Sequence, residues 1–194
     1  MVIAIVMSTR YQITMTRSDN IRSLINRLAR LDAAETWESP LNPAQIGALE
    51  YLARANRFSR SPSHVADYLG TTRGTMSQTL KSLARRGFVE ERRSETDKRS
   101  ISYELTGAGR PFASRGRDLI EAIEALPETE RAGLDAALSD LLAFQLRRGG
   151  MRQFGVCRAC THHRVTQDGP FCALLALKLL PEEVDQICHE QEAA

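Results

Sequence analysis

Apolar side chains recur at helical spacing early in the chain. The stripe consists of Ile21, Leu24, Ile25, Leu28 and Leu31. It follows Ser18-Asp19-Asn20, residue types that favour a helix N-cap, so the pattern predicts an amphipathic helix. The segment 37–40 then breaks the periodicity. With no neighbour in sequence, we expect this stripe to pack against the far end of the chain or against another subunit.

Three shorter helices are predicted next. Asn42-Pro43 pairs an N-cap with a proline at the first helical position. Ser61-Pro62 begins the next helix, which Gly70 closes, and Thr71-Thr72 caps another that ends at Gly87. Two short helices joined by a tight, glycine-containing turn are typical of a helix-turn-helix.

The apolar period changes after Gly87. Residues 88–92 and 100–105 are predicted to be strands of a hairpin with the polar segment 93–99 as its loop. Thr106-Gly107 is predicted to start a fifth helix that runs to about Leu126. A sixth helix follows Pro127 and ends at Gly149-Gly150, the best candidate linker. The predicted fold is mostly α with a small β-hairpin wing, a winged helix-turn-helix.

Composition and charge divide the chain into parts with different tasks. With 42% hydrophobic and 26% charged residues, the 194-residue chain is a globular protein rather than a disordered or fibrous one. Residues 71–99 carry eight Lys/Arg against four acids, whereas residues 151–194 carry four against six. We expect an N-terminal extension (1–17), a winged-helix domain (18–148) and a C-terminal segment (149–194). The apolar run 2–7 is too short for a membrane span or signal, so we expect a cytoplasmic protein with reduced thiols and no membrane partner.

The fourth predicted helix carries side chains suited to DNA. Those not needed for its apolar face are Thr72, Arg73, Thr75, Ser77, Gln78 and Lys81. Gln pairs with adenine and Arg with guanine in the major groove, and a basic hairpin brings Arg or Lys to the minor groove or phosphates. These residues, with the wing loop's Asp97, Lys98 and Arg99, form the predicted interface with double-stranded DNA.

Four motifs resemble the MarR family of transcriptional regulators. They are the run 69–76, the run 83–89, Asp97-Lys98-Arg99, and Leu105-Thr106-Gly107-Ala108-Gly109-Arg110. The resemblance implies a homodimer with interleaved N- and C-terminal helices, bound to a pseudo-palindromic operator as a repressor that a ligand or oxidant releases. It also implies that Asp97 orients a wing arginine. Gly74 and Lys81 depart from the residues common in the family, so the operator sequence does not carry over.

All four cysteines lie in the last 38 residues, as Cys157-x2-Cys160-x11-Cys172-x15-Cys188. Four thiols supply the ligand count of a tetrahedral zinc site or of an iron–sulfur cluster. The wide spacing and the apolar flanks favour an iron–sulfur cluster, with Zn²⁺ as the alternative. We expect Cys172 on a helix, and we expect His162, His163 and His189 to lie at the surface or beside the ligands.

The sequence supports three functional hypotheses. The first is a repressor whose operator affinity depends on the metal centre as a redox or metal sensor, with the tail packed on the dimer interface or on the DNA-binding lobes. The second is a repressor that answers a small-molecule effector, with a structural zinc site in the tail. The third is an electron carrier or enzyme. Since no catalytic motif is present in the sequence, we do not expect an enzyme.

Overall fold

A computed structural model of the chain describes residues 16–34, 39–93, 101–114 and 117–193. Most of the predicted N-terminal extension lies outside the described residues, as do Asp97, Lys98 and Arg99 of the wing loop. The helices are α1 Arg17–Ala34, α2 Pro43–Arg54, α3 Pro62–Tyr68, α4 Arg73–Arg85, α5 Arg117–Glu124 and α6 Glu128–Arg148. The strands are β1 Val89–Arg93, β2 Ile101–Leu105, β3 Gly155–Val156, β4 His163–Thr166, β5 Gly169–Cys172, β6 Leu177–Lys178 and β7 Ile187–Cys188.

Side-chain caps fix the starts of the helices. The Asn42 side chain accepts the backbone N–H of Gln45, whose side chain in turn accepts the N–H of Asn42. Ser61 caps α3 and Thr72 caps α4, as predicted. α1 begins earlier than predicted, because Thr16 accepts the N–H of Asp19 and the Asp19 carboxylate accepts the N–H of Thr16. Asp19 therefore completes a capping box instead of serving as the cap itself.

The core of the winged helix forms where α2, α3 and α4 meet the wing. β1 and β2 pair antiparallel, with Val89 opposite Leu105. Side chains from all of these elements are buried together, among them Leu49, Leu52, Val65, Met76, Leu80, Leu83, Val89 and Tyr103. The predicted helix-turn-helix and hairpin are confirmed, and Gly70 and Gly87 take the left-handed φ values, 63° and 77°, that end α3 and α4.

The fifth helix was predicted wrongly. Instead of one helix from Thr106 to Leu126, the chain forms a turn, a 3-10 helix at Arg110–Ser114, and the short α5. The Thr106 hydroxyl donates to the carbonyl of Gly87, and the Thr106 carbonyl accepts the N–H of Gly109. These bonds hold the segment against the base of the wing. The α-helix therefore begins only after the 3-10 helix, at Arg117.

The apolar faces of α1 and α6 are open. Neither helix has a buried residue among those described. Leu31 is 58% exposed on α1 and Leu142 is 61% exposed on α6. The expectation that the α1 stripe needs a distant partner is consistent with this exposure.

Candidate nucleic-acid interface and four-cysteine centre

Helix α4 presents a polar face opposite its buried one. Met76, Leu80 and Leu83 are buried, whereas Arg73, Thr75, Gln78 and Lys81 are exposed and Ser77 is half-buried. Gln78 and Lys81 share a shallow groove with Arg85 and with Glu91 of the wing. Arg85 was missed as a candidate contact, although it lies four residues after Lys81 and so on the same face.

Thr72 has a structural task as well as a predicted contact. Its hydroxyl oxygen accepts the N–H of Thr75 and lies 2.8 Å from the Thr75 hydroxyl. The Thr72 side chain thus closes the N-terminus of α4. It orients the first turn of the helix whether or not it also reaches a phosphate.

The arginines of the wing strands are neutralised within the wing. Arg92 lies 2.9 Å from a carboxylate oxygen of Glu90, and Arg93 lies 3.2 Å from one of Glu91. Tyr103 donates to Glu91 from the opposite strand. The positive charge available for a phosphate backbone is therefore on α4 and in the wing loop, where Lys98 and Arg99 were predicted to act.

The C-terminal segment docks on the loop between α2 and α3. The backbone N–H of Asn56 donates to the carbonyl of Ile187 at 2.9 Å, and Ile187 is buried within the winged-helix core. The N–H of His189 donates to the Ser59 hydroxyl at 2.9 Å. Arg57 bonds the buried carboxylate of Glu183 at 2.9 Å. Of the two predicted places for the tail, these contacts match the winged-helix lobe.

Aromatic rings extend the same contact surface. Phe154, just before β3, packs edge-on against Tyr51 of α2 and Tyr68 of α3, with ring centroids 6.2 and 5.3 Å away. His189 stacks on His64 of α3 at 3.4 Å. Burial, with a smaller contribution from His189, lowers the pKa of His64 to about 4. His64 is therefore neutral near pH 7, which permits the close stacking.

The four cysteines surround one small cavity. Cys157 opens a 3-10 turn and the N–H of Cys160 donates back to its carbonyl, while Cys172 ends β5 and Cys188 ends β7. All four line a space of about 10 Å³, close to the volume that one water-sized sphere occupies. Among the described residues, however, no three His, Cys, Asp or Glu side chains lie close enough together to hold a metal ion as they stand.

The position of Cys172 corrects the sequence prediction. It lies at the end of a strand, not on a helix, and β4 pairs with β5 so that His163 is opposite Cys172. The apolar run after Cys172 was taken for a helix. In the structure it contains a tight turn, in which Ala176 has a φ of 52°, and then the short strand β6. The resulting meander returns the chain towards Cys157 and Cys188.

The two buried thiols interact directly. A hydrogen bond from the Cys157 thiol lowers the pKa of Cys188 to about 6, against the effect of burial. The same bond raises the pKa of Cys157. From the winged helix, the Asn56 amide nitrogen donates to the Cys157 sulfur at 3.5 Å. Polar donors therefore favour negative charge on sulfur at this centre.

The histidines near the cysteines stay beside the thiols. His162 lies 3.1 Å from the Glu192 carboxylate, and both His162 and His163 line the cysteine cavity. The Nε2 atom of His163 is buried without a hydrogen-bond partner among the described residues.

The sequence did not identify Asn56, Ser59 or Phe154, because polar loop residues and one aromatic near a linker give no local sign of burial by a remote segment.

The comparisons with known proteins concern the winged helix. The sequence model of the MarR family matches residues 39–100. The match spans α2, α3, α4 and β1. The winged-helix fold of this chain also appears in solved structures that are 18 to 24% identical in sequence. No curated protein matches the chain.

Three of those structures show how much of the chain shares the fold. S. aureus MepR in complex with DNA is 20% identical, with a TM-score of 0.53 over 66% of this chain and 97% of that one. Streptococcus pneumoniae FabT in complex with DNA is 24% identical, with a TM-score of 0.52 over 66% and 94%. A MarR family protein from Bacillus stearothermophilus is 18% identical, with a TM-score of 0.53 over 66% and 91%. In the part of this chain that the structure describes, no helix has the length and apolar character needed to cross a membrane.

Proposed function

We propose that the protein is a dimeric DNA-binding transcription regulator that acts as a repressor. The observation that carries the proposal is the exposed polar face of α4, held by a buried apolar face within a MarR-type winged helix. Gln78 and Arg73 offer base-edge contacts, and Lys81 and Arg85 offer phosphate contacts. The DNA in the MepR and FabT structures supports the same use of this fold.

The open apolar faces of α1 and α6 support the dimer. Ile21 and Ile25 of α1 line one groove with Leu138, Leu141 and Leu142 of α6. Apolar side chains left exposed together on two neighbouring helices are typical of an interaction site. In a two-fold dimer the same patch meets its own copy, which pairs two α4 helices for half-sites about one helical turn apart.

Selection from random duplex DNA tests the proposal. We expect the wild-type chain to enrich a sequence with two-fold symmetry. Gln78→Ala should relax the preference at one symmetric pair of positions, by about 1–3 kcal/mol each. Arg99→Ala should weaken binding with no loss of thermal stability. Arg164→Ala, at an exposed arginine of β4 outside α4 and the wing, is the control and should behave as wild type. Unchanged binding by both Gln78→Ala and Arg99→Ala would contradict this use of α4 and the wing.

We further propose that Cys157, Cys160, Cys172 and Cys188 bind a metal. Support comes from their shared cavity and from the donors that favour thiolates. The Cys157-x2-Cys160 pair, joined by a 3-10 turn, has the ligand spacing typical of structural zinc sites. We therefore favour the zinc alternative. Four thiolates close its coordination sphere, and the donors would have to move closer together to bind the ion, since no three described donors are close enough as they stand.

Metal analysis of the protein as purified tests the site. We expect about one zinc per chain, no visible absorption, and lower zinc content after Cys→Ser replacement at any of the four positions. A brown, iron-containing protein would overturn the choice of zinc. Full metal content in all four variants would overturn the ligand set.

The docking of the tail supports a regulatory role for this metal. Cys157 and Cys188 contact the loop that leads into α3, the first helix of the helix-turn-helix. Since operator affinity depends on the spacing of the two α4 helices, metal loading is expected to change it. A gel-shift comparison of loaded, stripped and oxidised protein tests this role. Equal operator affinities would indicate that the metal only stabilises the folded tail.

A second candidate is a regulator that responds to a small molecule. A cavity of about 640 Å³ lies between α1, α2 and the α5 region, lined by Asp32, Glu50, Arg54, Ile120 and Glu124 among others. Its volume is that of a small-molecule site. Burial raises the pKa of Glu50, and the excess of carboxylates favours a cationic ligand. Release of operator DNA by an organic cation, with no effect of metal removal, would favour this candidate.

A further inference from the structure

Asn56 is a buried amide at the contact between the MarR-type domain and the tail. It is 0% exposed and lies between α2 and the 3-10 helix Arg57–Ser59. Its side-chain oxygen accepts the N–H of Phe58 at 3.2 Å and the Ser59 hydroxyl at 2.7 Å. Its amide nitrogen donates to the Cys157 sulfur at 3.5 Å.

These bonds fix which end of the amide faces the sulfur. A flipped Asn56 would turn its oxygen towards Cys157 and place its NH2 group against the backbone N–H of Phe58, so that a donor would face a donor. The nitrogen therefore faces the thiol as a permanent hydrogen-bond donor. The amide N–H therefore holds the Cys157 sulfur in one orientation, and metal ligands are commonly oriented by a hydrogen-bond partner that is not itself a ligand.

The turn around Asn56 is joined to both domains. The backbone N–H of Asn56 donates to the carbonyl of Ile187, the residue before Cys188. The carbonyl of Ser59 accepts the Tyr51 hydroxyl of α2 at 2.7 Å, and the Ser59 hydroxyl accepts the N–H of His189. Ser61, two residues further on, caps α3. A short series of hydrogen bonds therefore connects Cys157 and Cys188 to the start of the helix-turn-helix.

We propose that Asn56 is a positioning residue of the four-cysteine centre. It orients the Cys157 sulfur for metal binding and links metal occupancy to the position of α3. This inference rests on the proposed metal site. It adds to that site a residue of the DNA-binding domain that is not itself a ligand.

The test is Asn56→Asp with a matched control. The aspartate keeps the oxygen that Phe58 and Ser59 need, and it replaces the N–H donor with a negatively charged oxygen beside the thiolate. Loss of such a partner of a metal ligand typically weakens metal affinity by about 10–100-fold. Asn42→Asp makes the same chemical change at the N-cap of α2, where the side chain bonds Gln45. It should leave metal affinity at the wild-type value.

Zinc affinity is measured by competition with a chromophoric chelator, and the sulfur environment by the thiolate-to-cobalt absorption of the Co²⁺-loaded protein. A merely structural role would not shift that absorption. We expect a shift and weaker zinc binding in Asn56→Asp alone. We also expect the ratio of operator affinities between loaded and stripped protein to move towards one in that variant. If Asn56→Asp does not fold, Asn56→Ser, which retains a hydroxyl oxygen as acceptor and lacks the amide donor, takes its place.

The outcomes separate this inference from the proposed function. A wild-type chain that binds neither zinc nor cobalt would overturn the metal site and this inference together. Equal zinc affinity and equal cobalt spectra in wild type, Asn56→Asp and Asn42→Asp would overturn only the role of Asn56. An unchanged affinity ratio in a variant that binds zinc more weakly would overturn the link to α3.

Discussion

At the scale of single residues, Gly109 permits the closest approach between the wing and the segment that follows it. A Cβ at this position would overlap the backbone carbonyl oxygen of Phe88 and lie 3.1 Å from a methyl carbon of Leu105. A backbone atom cannot move aside as a side chain does. The glycine of the Leu-Thr-x-x-Gly motif therefore has a steric reason in this structure.

Gly109→Ala tests that reason. We expect the free energy of unfolding to fall by about 1–3 kcal/mol, because the base of the wing must shift to make room. Gly107 lies two residues earlier, and a Cβ there would meet nothing within 4 Å. Gly107→Ala is therefore the control, and it should be neutral or slightly stabilising through the unfolded state. Urea denaturation measures both variants. Equal effects would show that the crowding at Gly109 is not what matters.

The residues that could be predicted from the sequence act locally. Asn42, Ser61 and Thr72 cap helices through bonds to the third residue after them, so a short segment contains the whole signal. Asn56 also accepts local bonds, but its amide nitrogen faces Cys157, 101 positions away. A polar residue in a loop is normally exposed. Only the folded tail reveals that this one is buried.

At the scale of elements, α1 and α6 are stable only if something covers their apolar faces. Few side chains of the described α1 contact the rest of the chain, and the grooves between α1 and α6 are lined by leucine and isoleucine. An isolated helix gains little from its own hydrogen bonds, so burial of these faces must supply the stability. Assembly with a second copy, as proposed, would provide it.

Leu141→Glu is expected to disrupt the dimer. The leucine is 49% exposed in the α1–α6 groove, and a carboxylate there would be buried without a partner once two copies meet. Leu180→Glu is the matched control, since Leu180 of the tail is also 49% exposed. Sedimentation velocity should give a monomer for the first variant and a dimer for the second. A dimer in both would place the subunit contact elsewhere.

Helices and strands were predicted correctly where the sequence contains clear signals for their ends. α2, α3, α4 and α6 each have a capping side chain, a proline or a glycine at their ends, and the wing has a clear change of period. α5 was predicted too long because Thr106-Gly107 was taken as a helix start, whereas the carbonyl of Thr106 accepts the N–H of Gly109 in a turn. The strands of the tail were missed because each has only two to four residues, and because β3 pairs with β7, more than 30 positions away along the chain.

At the scale of the whole molecule, the winged helix has two separate contact surfaces. The tail covers one of them, and the apolar faces of α1 and α6 form the other. The tail packs on the turn between α2 and α3, while the faces of α1 and α6 that we propose for a second copy stay open. The tail has little core of its own, since the buried cluster that its described residues form contains only Cys157, Leu179 and Cys188. A segment of this size usually needs a metal or disulfides to stay folded.

Metal removal is therefore expected to release the tail from the α2–α3 turn. If zinc binds only the folded tail, its loss lowers stability by about 4 kcal/mol where zinc stands at a thousandfold excess over Kd. Hydrogen exchange on the full-length dimer, before and after chelation, locates the effect. Amide protection should fall in residues 155–190 and around Asn56 and Ser59, whose bonds to Ile187 and His189 hold the tail in place.

Helix α6 is the internal control for this experiment. Its residues make the predicted subunit contact and no described bond to the four-cysteine centre, so their protection should not change after chelation. A fall in protection restricted to the tail would mean that the tail unfolds without affecting the α2–α3 turn. The tail would then not hold the turn in place. A fall throughout the chain, α6 included, would mean that the metal supports the dimer itself, contrary to the placement of the tail on the DNA-binding lobe.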